Sequence, residues 1–301
     1  MPRRLMKGLA GVAVGLGFLV SACSSSPGTS QTGNGPGTTS KTTETSLSKL
    51  VPVTYRSRGY LVMATDPTIG APFASFAPGS HDIAGIDVDL ANAVGKALGL
   101  NVQLQNVTFD NFIPGLAAGR YDFSVSTMLD TKKREQQVNF VDFIHDGSGF
   151  LVKNGSQLTD LTLGRLCGLT VSAIQGSVEA MELTSQSQKC QSGGKKPVNV
   201  LVFAQSNQAL LAVSSGRSQA FDGSSDINAW IHSQPASAVE QSGPAYGTAI
   251  DGMAIGKNSG LTKPIQQALQ QLLDNGSYLK ILKKYGVQNY ALAKVTVNNA
   301  G

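Results

Sequence analysis

Between residues 58 and 290 the chain alternates short apolar runs with amphipathic ones. Residues 61–65 read as a strand, and 86–98 as a strand end running into a helix with Leu90, Val94 and Ala97/Leu98 on one face. Residues 102–107 are the next expected strand. Asp110 is placed to cap a helix that reaches Ala118 and stops at Gly119. Residues 123–128 form an apolar strand ending in hydroxyl side chains, and 149–152 and 169–174 read as further strands. A helix should open near Ser177 and cover Val178, Met181 and Glu182. Strands at 198–203, 219–223 and 253–255 alternate with a helix capped by Asn207 and another at 226–232; helices at 263–274 and 278–284 close the body. This alternation predicts an α/β fold of mainly parallel sheets with helices on both faces. Ligands in such sheets bind beyond the carboxyl ends of the strands.

The first 22 residues follow another pattern. Arg3, Arg4 and Lys7 precede an apolar run from Leu9 to Val20, too short to span a bilayer. Leu19-Val20-Ser21-Ala22-Cys23 resembles a bacterial lipobox, in which Cys23 is lipidated and becomes the N-terminus. Acyl chains contribute about 0.8 kcal/mol per buried methylene, so two or three of them hold a protein on the membrane. Residues 24–48 are almost wholly Ser, Thr, Gly, Pro, Asn and Gln, a composition that cannot offset its ordering entropy by burial. The expected organisation is a signal at 1–22, a lipidated linker at 23–55, and a body anchored outside the cytoplasm.

Composition then removes some partners. The net charge of +5 falls to +2 without the three cations of the signal, and no basic cluster remains that would suit nucleic acid. The 301 residues suffice for two lobes. Cys167 and Cys190 remain after lipidation, and an oxidising compartment favours a disulfide between them. His81, His145 and His232 are isolated, so neither a metal nor a cofactor is expected.

Residues 85–94, GIDVDLANAV, closely resemble the signature of the family 3 bacterial extracellular solute-binding proteins. Residues 64–73, 109–116, 127–140, 175–177 and 274–286 resemble further segments of that family, in its order. The resemblance implies a two-lobed, type II periplasmic-binding-protein-like fold joined by two crossing strands: lobe one at 56–145 and 252–296, lobe two at 146–251, and a tail at 297–301. It also implies a monomer that captures an amino acid or related carboxylate by lobe closure and delivers it to a membrane permease of an ABC importer.

Candidate site residues come from the resemblance and from chemistry together. A buried zwitterion needs a cation for its carboxylate and acceptors for its ammonium. Arg134 offers the guanidinium fork. Gln175, Gly176, Ser177 and Val178 open a helix whose free amides favour an anion. Ser126 and Thr127 end a strand with hydroxyls and carbonyls. Asp66 is placed to meet a polar ligand side chain, and equally suits a plain turn before Pro67. Phe109 suits either the ligand face or the core. In lobe two the family's usual ammonium-binding aspartate falls on Ser224, flanked by Asp222 and Asp226 at strand period. Ile69 and Gly70 stand where an aromatic is common, and Leu129 where a hydroxyl is.

Two other functions fit the same resemblance. Some relatives of the fold are dehydratases of cyclic carboxylic acids, which need a positioned acid or base. A receptor that signals ligand occupancy in trans is the other.

Overall fold

Two long strands organise the body: β6 (Val138–Lys153) and β10 (Val239–Gly256), of 16 and 18 residues, antiparallel neighbours at the centre of one eight-stranded sheet. The computed structural model describes residues 47–300; the expected signal, Cys23 and the polar linker as far as residue 46 lie outside the described residues. On one side of the central pair stand β5 (Phe123–Ser124), β1 (Tyr60–Thr65) and β4 (Asn101–Asn106), with β1 parallel to both of its neighbours. On the other stand β9 (Ala220–Ser224), β7 (Thr170–Ile174) and β8 (Asn199–Phe203), with β7 parallel to both of its neighbours. A small hairpin, β2 (Ser75–Phe76) with β3 (Ile83–Ala84), lies apart.

The apolar cores divide the molecule into two lobes. The larger core draws on side chains from Leu47 to Ile144 and from Met253 to Val295, with Ile227 inserted from the other half. Two smaller cores draw on Phe150 to Val239. Among the described residues only the strands β6 and β10 run through both halves, so each contributes apolar residues to cores on both sides and polar ones between.

Both ends of the body extend beyond the expected bounds. Leu47 and Val51 are buried in the larger core although the linker was expected to reach residue 55. Val297 bridges to Val141, and Asn298 Oδ1 accepts from Phe140 N at 2.7 Å, so the expected tail docks onto β6.

Flanking helices are α1 (Val53–Arg58), α2 (Ile86–Leu98), α3 (Phe112–Ala117), α4 (Lys132–Glu135), α5 (Val178–Ser192), α6 (Ser206–Ser214), α7 (Ser225–Ser233), α8 (Thr262–Asp274) and α9 (Ser277–Lys284). Residues from Ile86 are helical at once rather than ending a strand. Gly85 forces the turn: its φ is +141°, and a Cβ there would fall 2.0 Å from the Phe73 carbonyl oxygen. Asp110 does not cap α3. It sits in a 3-10 turn and accepts from Thr108 Oγ1 at 2.8 Å. Gln205, not Asn207, precedes α6. The Cys167–Cys190 disulfide, with a Cα–Cα separation of 5.6 Å, ties the approach to β7 onto α5. No described helix is long and apolar enough to cross a membrane.

Candidate functional site

Strand β5 is only two residues long, not the six expected, and three residues beyond it Thr127 adopts φ 39°, outside extended backbone. The chain there leaves the sheet and turns into α4, delivering Thr127, Leu129 and Arg134 to a narrow cavity between the lobes. The opposite wall is the turn after β7 with the first turn of α5, together with the end of β9. Both walls are carboxyl ends of parallel strands, where free helix amides and strand carbonyls converge.

Arg134 is held across the gap. Its Nη1 donates to the Leu129 carbonyl at 2.8 Å and its Nη2 to the Gly176 carbonyl at 3.1 Å, one acceptor from each lobe. The guanidinium lies over the Phe109 ring, 5.5 Å from its centroid, and the residue is 6% exposed. Burial pushes its pKa down, opposed by Glu179, Asp251 and Asp130. A guanidinium has five N–H donors, so two spent on carbonyls leave three for a ligand.

Carboxylates face it. Asp146 on β6, Glu179 in the first turn of α5 and Asp222 on β9 all line the cavity. Glu179 Oε1 accepts from Ser148 Oγ at 2.9 Å, and both Asp222 oxygens accept from Tyr246 Oη at 2.8 and 2.7 Å. Asp146 accepts from the hydroxyls of Ser224 at 2.7 Å and Ser225 at 3.0 Å. Burial raises its pKa to about 6, partly offset by the Ser224 bond. Burial and the charge of Glu179 hold Asp222 well above the usual carboxylate range.

Of the residues singled out from sequence, Phe109, Thr127, Arg134, Ser177, Val178 and Ser224 line the cavity. Ser177 also caps α5, accepting from Ala180 N at 3.1 Å. Asp66, Ser126, Gln175, Gly176 and Asp226 are not in the lining. Asp66 Oδ1 accepts from Thr68 N and Oγ1 at 2.9 and 2.7 Å, and its Oδ2 from Phe109 N at 3.2 Å, so it braces the Phe109 loop. Ser126 is fully buried. Gln175 Nε2 donates to Asp110 Oδ2 at 3.0 Å, a clasp between lobes at the rim. Gly176 supplies the carbonyl under Arg134, and a Cβ on it would lie 3.2 Å from Asp110. Asp226 fails the strand-period argument because β9 ends at Ser224 and Asp226 belongs to α7.

Sequence reasoning missed Asp146 and Glu179. Asp146 precedes Gly147 and reads as a turn, whereas it sits within a 16-residue strand. Glu179 follows the cap Ser177 by two and reads as an ordinary first-turn acid. Its position two residues beyond the segment that resembles the family's second-lobe turn was the available signal.

The profile of the Bacterial extracellular solute-binding proteins, family 3, matches residues 61–288. The Arginine-binding protein ArgT of Corynebacterium glutamicum is 28% identical over 253 residues, covering 84% of this chain and 82% of that protein. The ABC transporter glutamine-binding protein GlnH of Bacillus subtilis is 29% identical over 214 residues, 69% of this chain and 74% of that protein. Among solved structures, an ancestral arginine-binding protein bound to arginine superposes with a TM-score of 0.69 at 29% identity, over 76% of this chain and 99% of its own.

Proposed function

The chain belongs to family 3 of the bacterial extracellular solute-binding proteins, and from that premise we propose that it is the substrate-binding component of an ABC importer for a cationic amino acid. The observation that carries the ligand class is the charge inventory of the cavity. One guanidinium, Arg134, faces three carboxylates, Asp146, Glu179 and Asp222. An α-amino acid backbone consumes Arg134 with its carboxylate and one acid with its ammonium. The remaining acids need a second positive group on the ligand, since buried unpaired carboxylates are costly. Arginine, lysine and ornithine fit; glutamine leaves the acids without a partner. Arginine is also what the Corynebacterium relative and the ancestral protein are named for.

The protein works by binding alone. Arg134 and the Asp110–Gln175 clasp connect the lobes, so a ligand seated between them favours the closed form, which a permease distinguishes from the open one. Cys23 carries the lipid anchor, and the monomer is held on the outer face of the cell membrane. Replacing Cys23 with Ser should release the protein into the medium.

A thermal-shift screen of ligand-stripped protein against the common amino acids tests the ligand class. Arginine, lysine or ornithine should raise the melting temperature most; a ligand at a hundred times its Kd stabilises by about 2.7 kcal/mol. A dominant shift with glutamine and none with any cationic amino acid would refute it.

A further inference from the structure

A second acidic group shares Asp146 with the ligand cavity and adds two acids, Asp226 and Asp251, that do not line it. Asp146, Asp226 and Asp251 come from β6, α7 and β10, and each offers an oxygen within 4.8 Å of the others. They are 7%, 1% and 0% exposed. Both oxygens of Asp251 and Oδ2 of Asp226 are buried with no hydrogen-bond partner, so the oxygen that Asp251 turns into the cluster is unpartnered. Ser224 Oγ donates its one hydrogen to Asp146 and also contacts Asp226 Oδ1, and the Asp226 amide donates to Asp146 at 3.3 Å. These bonds fix the positions of two of the three carboxylates. None of the ion pairs among the described residues involves the three. Arg134, within electrostatic reach of Asp251, directs Nη1 and Nη2 to the Leu129 and Gly176 carbonyls.

We propose that Asp146, Asp226 and Asp251 form a binding site for a hard divalent cation of calcium's size, set at the crossing of β6 and β10. An all-oxygen donor set suits calcium or magnesium rather than a softer metal. Size favours calcium. Calcium–oxygen distances of about 2.3–2.6 Å allow two oxygens on one ion to stand up to about 5 Å apart, whereas magnesium limits them to about 4.2 Å. Three oxygens within 4.8 Å of one another therefore reach calcium with shifts of about 0.2 Å, whereas magnesium at about 2.1 Å would draw them in further. The ion would offset two of the three negative charges that otherwise repel one another where the two lobes join. It would also fix β10 at the point where its register against β6 shifts, between Asp251 and Gly252.

The test is calorimetric titration of the ligand-free, EDTA-stripped mature protein with calcium chloride, beside Asp251→Asn and Asp226→Asn, with melting curves of all three. One calcium per chain is expected in the wild type, with a rise in melting temperature, and neither in Asp251→Asn. In EDTA, Asp251→Asn should melt higher than the wild type, because one buried charge is gone. No saturable binding at calcium well above the roughly 10⁻⁴–10⁻³ M range of extracellular modules would overturn the site. So would unchanged stoichiometry in both variants. Magnesium stabilising as strongly as calcium would overturn the size assignment. Should Asp251→Asn not fold, Asp226→Asn and the anomalous signal of calcium in wild-type crystals decide the question. Arginine binding is measured separately in EDTA. If Asp251→Asn abolishes it and calcium does not bind, the cluster belongs to the amino-acid site and the calcium proposal falls. If arginine never binds while calcium does, only the ligand reading falls.

Discussion

Replacing Arg134 with Met removes the guanidinium while keeping an unbranched stem against Phe109. Two of the five N–H donors go to the Leu129 and Gly176 carbonyls, which leaves three for the ligand, enough for a forked pair to a carboxylate. Truncating one partner of such a buried charged pair costs about 2–5 kcal/mol, or roughly 30- to 4,000-fold in Kd at 1.4 kcal/mol per decade. Part of that loss reflects the interlobe bond to Gly176, whose carbonyl is left unpaired on closure at a cost of about 1–3 kcal/mol. Arg134→Lys separates the two contributions: it keeps the charge and loses the fork, so its affinity should fall between wild type and Arg134→Met. Calorimetric titration of stripped protein with arginine gives the affinities, and circular dichroism melting establishes that each variant folds. A folded Arg134→Met that binds within threefold of the wild type would refute the assignment of Arg134 to the ligand carboxylate.

Glu179→Gln retains an acceptor for Ser148 but loses a cavity charge, so arginine affinity should fall by roughly tenfold, about 1.4 kcal/mol, with any neutral amino-acid affinity little changed; equal losses for both would refute the charge argument. Gly176→Ala places a methyl 3.2 Å from Asp110 at φ +79°, so it should weaken arginine binding by impeding closure, and unchanged affinity by titration would show that the lobes do not approach there. Asp87 is fully buried, neither oxygen has a partner, and burial raises its pKa from 3.8 to about 7. Because the folded state holds that proton more tightly than the unfolded one, stability is greatest below about pH 4 as far as this group is concerned, and declines until pH 7. The penalty above pH 7 is on the order of 4 kcal/mol at about 1.36 kcal/mol per pKa unit. Asp87→Asn in EDTA should therefore raise the melting temperature at pH 8 and flatten its dependence between pH 5 and 8; a wild type that gains stability over that interval, with no change in the variant, would contradict this. Reducing the Cys167–Cys190 disulfide, which closes a loop with a sequence separation of 23, should cost about 3 kcal/mol in denaturant titrations, and no loss would mean the reduced chain keeps that loop ordered.

Local pattern was enough for the outer parts of the molecule. β1, β4, β7, β8 and the helices α5, α7, α8 and α9 all fall within a residue or two of their expected bounds, apart from the open C-terminal end of α5. Their apolar residues repeat with the period of the element because one side of each faces a core. β6 and β10 were reduced to 149–152 and 253–255. Their middle residues, among them His145, Asp146 and Gly147 on β6 and Gly243 and Gly247 on β10, break apolar alternation. Those stretches lie between the two cores, where polar groups meet the cavity and the strands bend, so no one-sided burial stamps a period on them.

The amino-acid sequence by itself determined the α/β alternation, the family resemblance, Arg134 as the candidate partner of a ligand carboxylate, and the pairing of Cys167 with Cys190. Each depends on residues near one another in the chain, or on a residue type with few alternative uses. Only the tertiary structure decided that Asp146, Glu179 and Asp222 share a cavity, that Asp226 leaves it, and that Asp146, Asp226 and Asp251 converge. Those acids lie up to 105 positions apart, and which of them meet depends on where two strands cross. No local periodicity records that crossing.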